Sequence, residues 1–473
     1  MSSTPFGVRK PVSQVSVATS ICRTQVVEIV WPCEARENVR RREFVCQGNL
    51  PGSTISTVND FLDELHWRGL LHQASDLEGL REHLGETSRR AYVGLDPSAP
   101  SLTIGNLVTL VLLAHFRRAG HEPVVVAGGG TGLIGDPGGK SIERPLLGAD
   151  EVRANIAAQM SIYEHLFGDA LVVNNADWLA GLGFIEVLRD VGKHFSVNEM
   201  VKRDSVRNRM ESDGITYTEF SYVLLQAYDF AHLYKTHGVT LQMGGSDQWG
   251  NIVSGVDLVR RLHGGTAFAL TCPLLLKADG TKFGKSESGA VWLTADRTSP
   301  YQFHQFWLNA SDADVIRFLK IFTFRTREDI AELERALADA PGERAAQRAL
   351  ADDVTTLVHG FDACRRAQSI ASALFTGNVR SLDSATLAEA LPGIPSTAFS
   401  GAVPGETDIV DVLVATGLAQ SRRQAREFLD NGSISVNGDK IGADRQLSPA
   451  DLLAGGVILL RRGKKQWHAT LWS

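Results

Sequence analysis

The chain is short of the residues that build metal clusters and cross-linked scaffolds. Its five cysteines, at 22, 33, 46, 272 and 364, show no metal-ligand spacing, and three of them fall in the N-terminal tail. That usage argues for a reducing compartment. Long apolar runs are also missing: none reaches the ~18 residues that a membrane span needs, so no membrane partner is expected. Positive charge is scarce overall, with 48 Lys and Arg against 54 Asp and Glu and a net charge of −6. Bulk electrostatic attraction to nucleic acid is thereby excluded, and any RNA contact must rest on local basic patches. What is present is globular: 473 residues, 43% hydrophobic and 22% charged, enough for two to four domains with ample core.

The organising stretch is Ala91-Tyr-Val-Gly-Leu-Asp-Pro-Ser-Ala-Pro-Ser-Leu-Thr-Ile-Gly-Asn-Leu107. AYVGL reads as a short apolar strand, and Asp96-Pro97 breaks it, because a residue before proline is pushed out of helical space. Pro100 and Ser101 then open a helix, LTIGNLVTLVLLAHFRRAG, with Leu102, Leu107, Leu110 and Leu113 as its buried stripe and Gly120 as its stop. A strand feeding a helix N-terminus through a tight loop leaves backbone N–H groups free for an anion. Gly105 leaves room there for a flat group. A second stretch, Lys282-Phe-Gly-Lys-Ser286, places two lysines around a glycine in a polar loop. Lysine is a point charge suited to phosphate, and glycines at 280 and 284 permit the loop to move.

Between these lies a polar stripe on an apolar helix. Thr216-Tyr-Thr-Glu219 is a capping box that starts FSYVLLQAYDFAHLYKTH, and Gly238 stops it. Tyr222, Gln226 and Asp229 share one face of that helix and would be costly to bury without partners. Gln242-Met-Gly-Gly-Ser-Asp-Gln-Trp-Gly250 follows as a second polar cluster whose glycines allow close backbone approach. Two nearby motifs are weak. Gly130-Thr-Gly-Leu-Ile-Gly135 fits a dinucleotide fingerprint, yet Pro137 and Pro145 bar a helix directly after it. Gly135-Asp-Pro-Gly-Gly-Lys-Ser141 has one residue too few for a phosphate loop.

Taken together, the 103–106 and 282–286 stretches resemble the His-Ile-Gly-His and Lys-Met-Ser-Lys-Ser signatures of class I aminoacyl-tRNA synthetases. The intervening sequence resembles the bacterial-type tyrosyl branch from about Phe61 to the C-terminus. That resemblance implies a Rossmann-like parallel-sheet α/β catalytic domain, an α-helical domain and a small α+β RNA-binding module. The implied activity is a ligase: tyrosine and ATP give tyrosyl-adenylate, then tyrosyl transfer to tRNA(Tyr). It implies catalytic Lys282, Lys285, Ser286, Lys140, Arg144, Thr103 and Asn106. Tyrosine would be held by Tyr92, Asp136, Asn175, Tyr222, Gln226, Asp229 and Gln248, with Thr131 beside them. ATP would be held by Gly94, Asp96, Ser98, Gly105, Gly244, Asp247 and Lys285. Mg²⁺ would travel with ATP rather than occupy a protein cage.

The expected organisation is a disordered extension over 1–57, a catalytic domain over 58–290 and an anticodon-arm helical domain over 291–390. A Pro/Gly/Ser-rich linker over 391–406 and the RNA module over 407–473 follow. The extension faintly resembles a transit peptide, its first acidic residue being Glu28. A cytoplasmic location is expected, or an organellar one if the extension is such a peptide. VLRDVGKHFSVNEMVKRDSV resembles the family's dimer-forming segment, which implies a homodimer. From 418 to 473 nine Lys or Arg face five Asp or Glu. They cluster at Arg422, Arg423, Arg426 and at Arg461, Arg462, Lys464, Lys465, which fits a tRNA backbone contact. One departure stands out: Thr103 occupies the place of the first histidine of the signature. Two alternatives remain, a tryptophanyl-tRNA synthetase and an RNA-binding regulatory paralogue with weakened adenylation.

Overall fold

A computed structural model describes residues 60–473 except 138–145, 212–213, 279, 281–282, 287–288, 443 and 464–465. The expected extension over 1–57 lies outside the described residues, as do Lys140, Arg144, Lys282, Lys464 and Lys465. For Lys285 and Ser286 the backbone alone is described. Among the described residues no helix is long and apolar enough to cross a membrane.

The N-terminal part is built on a six-stranded sheet. Its strands are β1 (Gln73–Ala74), β2 (Arg90–Leu95), β3 (Glu122–Ala127), β4 (Leu171–Asn174), β5 (Val239–Gly245) and β6 (Phe268–Cys272), in the order β1-β6-β5-β2-β3-β4. β1 is antiparallel to β6 and the other pairs are parallel. EPVVVA and FALTC show no alternation because parallel strands are covered on both faces. Helices α1 (Asp60–Arg68) and α2 (Leu77–Glu86) precede β2, and α3 (Ile104–Arg118) and α4 (Ala149–Phe167) connect β2, β3 and β4. The long α5 (Tyr217–His237) leads into β5, and α6 (Trp249–His263) joins β5 to β6. The chain therefore winds outward from β2 in one direction and from β5 in the other. A crevice opens where these two neighbours diverge, beyond the strands' carboxyl ends.

The sequence placed the start of α3 at Pro100 and Ser101; the observed N-cap is Thr103. The residues before it are held extended by a second chain segment. The Leu293 amide donates to the Leu102 carbonyl at 2.8 Å and the Ile104 amide to the Val291 carbonyl at 3.1 Å. Expectation and structure agree at α5. Thr216 Oγ1 accepts from the Glu219 amide and Glu219 Oε2 from the Thr216 amide, both at 3.2 Å. Buried Arg209 also donates to both Glu219 oxygens, at 3.0 and 2.9 Å.

The helical stretch comprises α7 (Pro300–Leu308), α8 (Asp312–Phe322), α9 (Arg327–Asp339), α10 (Ala345–His359) and α11 (Phe361–Thr376). It shares one hydrophobic core with the sheet, in which Phe61, Phe116, Trp307, Phe322 and Leu350 all take part. Arg68 of α1 caps the carbonyl end of α8, donating to the carbonyls of Lys320, Thr323 and Arg325 at 2.7 Å each.

After the short antiparallel pair β7 (Lys285–Ser286) and β8 (Gly289–Ala290), the stretch expected to be a linker over 391–406 carries β9 (Ser396–Phe399), which pairs in parallel with β13 (Gln466–Trp472). That edge position completes a five-stranded sheet with β10 (Ile434–Val436), β11 (Asp439–Lys440) and β12 (Val457–Arg462). Turn-forming residues in 391–406 flank the strand rather than replace it. Asn437 and Gly438, with φ of 49° and 95°, form the expected hairpin turn. Of the basic clusters, Arg423 and Arg426 are exposed. Arg422 pairs with Asp408 and Asp411, Arg461 lies over Trp467, and Arg462 over Phe428.

The Arg209–Glu219 pair fixes the start of the helix that carries the polar stripe. Glu219→Ala should destabilise the fold by about 3–5 kcal/mol, since it leaves a buried guanidinium without its carboxylate; urea unfolding checks this.

Candidate active site

A cavity of about 500 Å³ opens beyond the carboxyl ends of β2 and β5. The sequence candidates whose side chains are described converge on it from four directions. β2 and the loop after it supply Tyr92, Gly94, Asp96 and Ser98; α3 supplies Thr103, Gly105 and Asn106. Asp136 and Asn175 follow β3 and β4, and α5 supplies Tyr222, Gln226 and Asp229 from one face. Gly244, Asp247 and Gln248 come from the end of β5.

The deep part is apolar-walled but ends in polar groups. Tyr92 is fully buried, its ring edge-on to Phe230, and its hydroxyl has no hydrogen-bond partner among the described residues. Burial and the neighbouring Asp229 charge hold this phenol well above its ordinary pKa. Asp229, 3% exposed, accepts from Asn175 Nδ2 and from Trp178 Nε1, each at 2.8 Å. Burial pushes its carboxyl up to about 7, and the two donors oppose that shift. Gln226 Oε1 and Gln242 Oε1 are likewise buried without partners. Orphaned acceptors and a lone hydroxyl in one cavity are costly unless a ligand completes them.

Asn175 has no proton left over for a ligand. Its Oδ1 accepts from the Gly130 amide at 2.7 Å, and its Nδ2 donates to Thr131 Oγ1 at 2.9 Å and to Asp229. Thr131 Oγ1 donates to Asp96 Oδ1 at 2.7 Å, and Tyr222 donates to Asp96 Oδ2 at 2.9 Å. A chain of hydrogen bonds thus runs from Asp229 through Asn175, Thr131 and Asp96 to Tyr222, and the backbone of the helix that carries both ends closes it into a ring. It passes so close to Gly128 that a Cβ there would sit 2.3 Å from Asp96 Oδ1 and 2.6 Å from Thr131 Oγ1.

Toward the mouth, Thr103 is tied to its own helix. Its backbone N–H and its hydroxyl both donate to Asn106 Oδ1 at 3.0 Å, so the amide nitrogen of Asn106 is the donor left over. Gln248 donates to Asp136 Oδ2 and, at 3.0 Å, to Asp247 Oδ2. The short turn Thr131–Leu133 stands where a dinucleotide helix would begin, in keeping with the weak reading of that fingerprint. Among the lining or supporting residues to which the sequence reading gave no site role are Trp178, Gln242 and Phe283. The first two sit close to residues already implicated, three residues after Asn175 and in the middle of β5. Nothing local marks Phe283 apart from its lysine neighbours.

Comparison with known proteins now bears on this geometry. A family model described as tRNA synthetases class I (W and Y) matches residues 85–376, and one described as Tyrosine--tRNA ligase SYY-like C-terminal domain matches 386–470. The Tyrosine--tRNA ligase of Bacillus caldotenax is 49% identical over 417 residues, covering 86% of this chain and 99% of that protein. That of Thermobifida fusca is 48% identical over 425 residues, covering 86% and 98%. A C-terminally truncated mitochondrial tyrosyl-tRNA synthetase from Aspergillus nidulans superposes with a TM-score of 0.61 at 30% identity, covering 72% of this chain and 99% of that one.

Trp178→Phe removes one of the two donors that stabilise the charged form of Asp229. The carboxyl should then titrate above its present value of about 7. An NMR titration of the side-chain carboxyl carbon of Asp229 in both proteins checks this.

Proposed function

Because this chain belongs to the tyrosine--tRNA ligase family of class I tRNA synthetases, we propose that its cavity joins L-tyrosine to ATP and passes the tyrosyl group to tRNA(Tyr). The observation that carries the reading is the pair of Tyr92 and Asp229 at the deep end. A phenol hydroxyl would donate to the Asp229 carboxylate and accept from the Tyr92 hydroxyl, completing both. An indole N–H can only donate and would leave Tyr92 unsatisfied, which disfavours a tryptophanyl enzyme.

Asp136, the Tyr222 oxygen and Gln226 Oε1 would accept from the substrate ammonium, with Gln248 beside its carboxylate and Asn175 holding Asp229 in place. In the first step a carboxylate oxygen of tyrosine forms a bond to the α-phosphorus while the bond from that phosphorus to the bridging oxygen breaks. Pyrophosphate leaves with the electron pair. No protein nucleophile is required, so catalysis rests on alignment and on charge placed where negative charge develops. Lys282, Lys285, Ser286, Lys140 and Arg144 would face the departing pyrophosphate. The α3 N-terminus and the Asn106 amide would face the phosphates, and Gly94, Asp96, Ser98, Gly105, Gly244 and Asp247 the nucleoside. Mg²⁺ takes oxygen ligands and would neutralise phosphate charge. With Asp96 and Asp136 already accepting protein donors, it is proposed to ride on ATP.

Helices α7 to α11 are proposed to face the anticodon arm, and Arg423 and Arg426 to meet the tRNA backbone. A homodimer is proposed through the 187–206 segment, where Leu188 and Val197 are exposed apolar side chains and Phe184, Ile185 and Met210 are exposed just beyond it. A cytoplasmic location goes with this reading.

Thr103 stands where the signature has histidine. Its hydroxyl is spent on Asn106, so we read it as a helix cap rather than a phosphate donor.

The central test is tyrosine-dependent ATP–pyrophosphate exchange, with phenylalanine and tryptophan as controls. A regulatory paralogue would show no exchange. Asp229→Ala should relax tyrosine-over-phenylalanine discrimination by about tenfold or more while slowing both amino acids unequally; equal effects on both would remove Asp229 from phenol recognition. Thr103→His should leave the exchange rate unchanged or raise it, and a large fall would show a site adapted to threonine.

A further inference from the structure

We infer that Phe283 is a positioning residue that ties the lysine loop to the helical stretch, so that the packing of α7 and α8 sets the activation rate. The inference rests on the activation chemistry proposed above and extends it from Phe283 on the cavity wall to α7 and α8 outside the cavity. Phe283 lies between Lys282 and Lys285 in the chain. Its partly buried ring leaves the loop to join an aromatic cluster. Ring centroids lie 4.8 Å from Phe318, 5.5 Å from Phe322, 5.7 Å from Trp307 and 5.9 Å from Phe306. These rings belong to α7 and α8, and Trp307 and Phe322 are fully buried.

The next residue is pinned on the opposite side. Gly284 is buried with φ of 98°, and a Cβ there would stand 3.4 Å from Ile104 Cγ1 and 3.7 Å from the Gly105 amide nitrogen. Its carbonyl accepts from the Val291 amide at 3.3 Å, and the Val291 carbonyl accepts from Ile104. Two consecutive residues of the loop are therefore held by different elements of the shared core: Phe283 by α7 and α8, and Gly284 by the first turn of α3. The loop backbone cannot shift relative to α3 without repacking four buried or half-buried rings. Core packing resists such changes in steps rather than smoothly. Aromatic pairs of this kind add about 0.5–1.5 kcal/mol each beyond area burial. The backbone at Lys285, two residues after Phe283, inherits that placement.

The test is a double-mutant cycle in the full-length protein with Phe283→Leu and Phe318→Leu, read by pyrophosphate exchange. Phe318 does not line the cavity. Each single change should lower kcat by about ten- to a hundredfold, the scale of a misplacement near one ångström, while equilibrium binding of tyrosine stays within twofold. The two changes together should cost much less than their product, because they break one contact. Phe306→Leu, on a half-exposed partner, serves where Phe318→Leu unfolds, as judged by its melting temperature. Unchanged kcat in folded Phe318→Leu and Phe306→Leu proteins, or effects that multiply independently, would overturn the inference. If wild-type protein shows no tyrosine-dependent exchange, the functional reading fails instead, and the two failures are distinct.

Discussion

The cavity depends on one buried carboxylate being held in place. Asp229 is taken out of water at the deep end of the cleft, where an isolated charge would be severely penalised. The structure answers with two donors, Asn175 and Trp178, one for each oxygen. Asn175 is itself fixed by Thr131 and the Gly130 amide, Thr131 by Asp96, and Asp96 by Tyr222. The ring begins and ends on α5, and between those points it touches the loops that follow β2, β3 and β4. It stitches the carboxyl ends of three parallel strands to a helix that enters the sheet from its other half. Charge-assisted bonds of this sort are worth about 1.5–3 kcal/mol when complete and cost as much when one member is lost.

That ring divides the labour within the cleft. Its interior side leaves the buried Tyr92 hydroxyl and Asp229 carboxylate facing the cavity, which suits selection of a ligand by its hydrogen-bonding groups. Its outer side meets the N-terminus of α3 and the polar turn at the end of β5, where charge on a ligand can stay partly hydrated. A reaction whose nucleophile and leaving group both come from substrates needs little else from the protein than alignment and fixed positive potential. The threonine cap of α3 is compatible with this division: it secures the helix end that aims backbone N–H groups at the mouth.

Rigidity extends beyond the sheet. The helices after residue 300 share its core, and Arg68 fastens α1 to the end of α8. β9 draws the chain into the C-terminal sheet rather than leaving a tether. A close backbone approach of Gly438 to Gly377, in which a Cβ on Gly438 has no room, sets that small sheet against the end of α11.

The sequence by itself determined the elements whose cause is local. Proline after Asp96, the Thr216–Glu219 box, the glycines at 120 and 238 and the Asn437–Gly438 turn each act within a few residues, and each appears where it was read. The helical spacing of Tyr222, Gln226 and Asp229 likewise placed them on one face, and the structure turns that face into the cavity. What only the tertiary structure decided are matters of long-range contact. The three-residue delay of α3 follows from pairing with 291–293. The engagement of Asn175, the part of Trp178, the strand inside the presumed linker and the capture of Phe283 by α7 and α8 depend on partners between 23 and 73 residues away. A propensity or a cap is written in neighbouring residues; a side chain's partner is chosen by packing, and packing is a property of the whole chain.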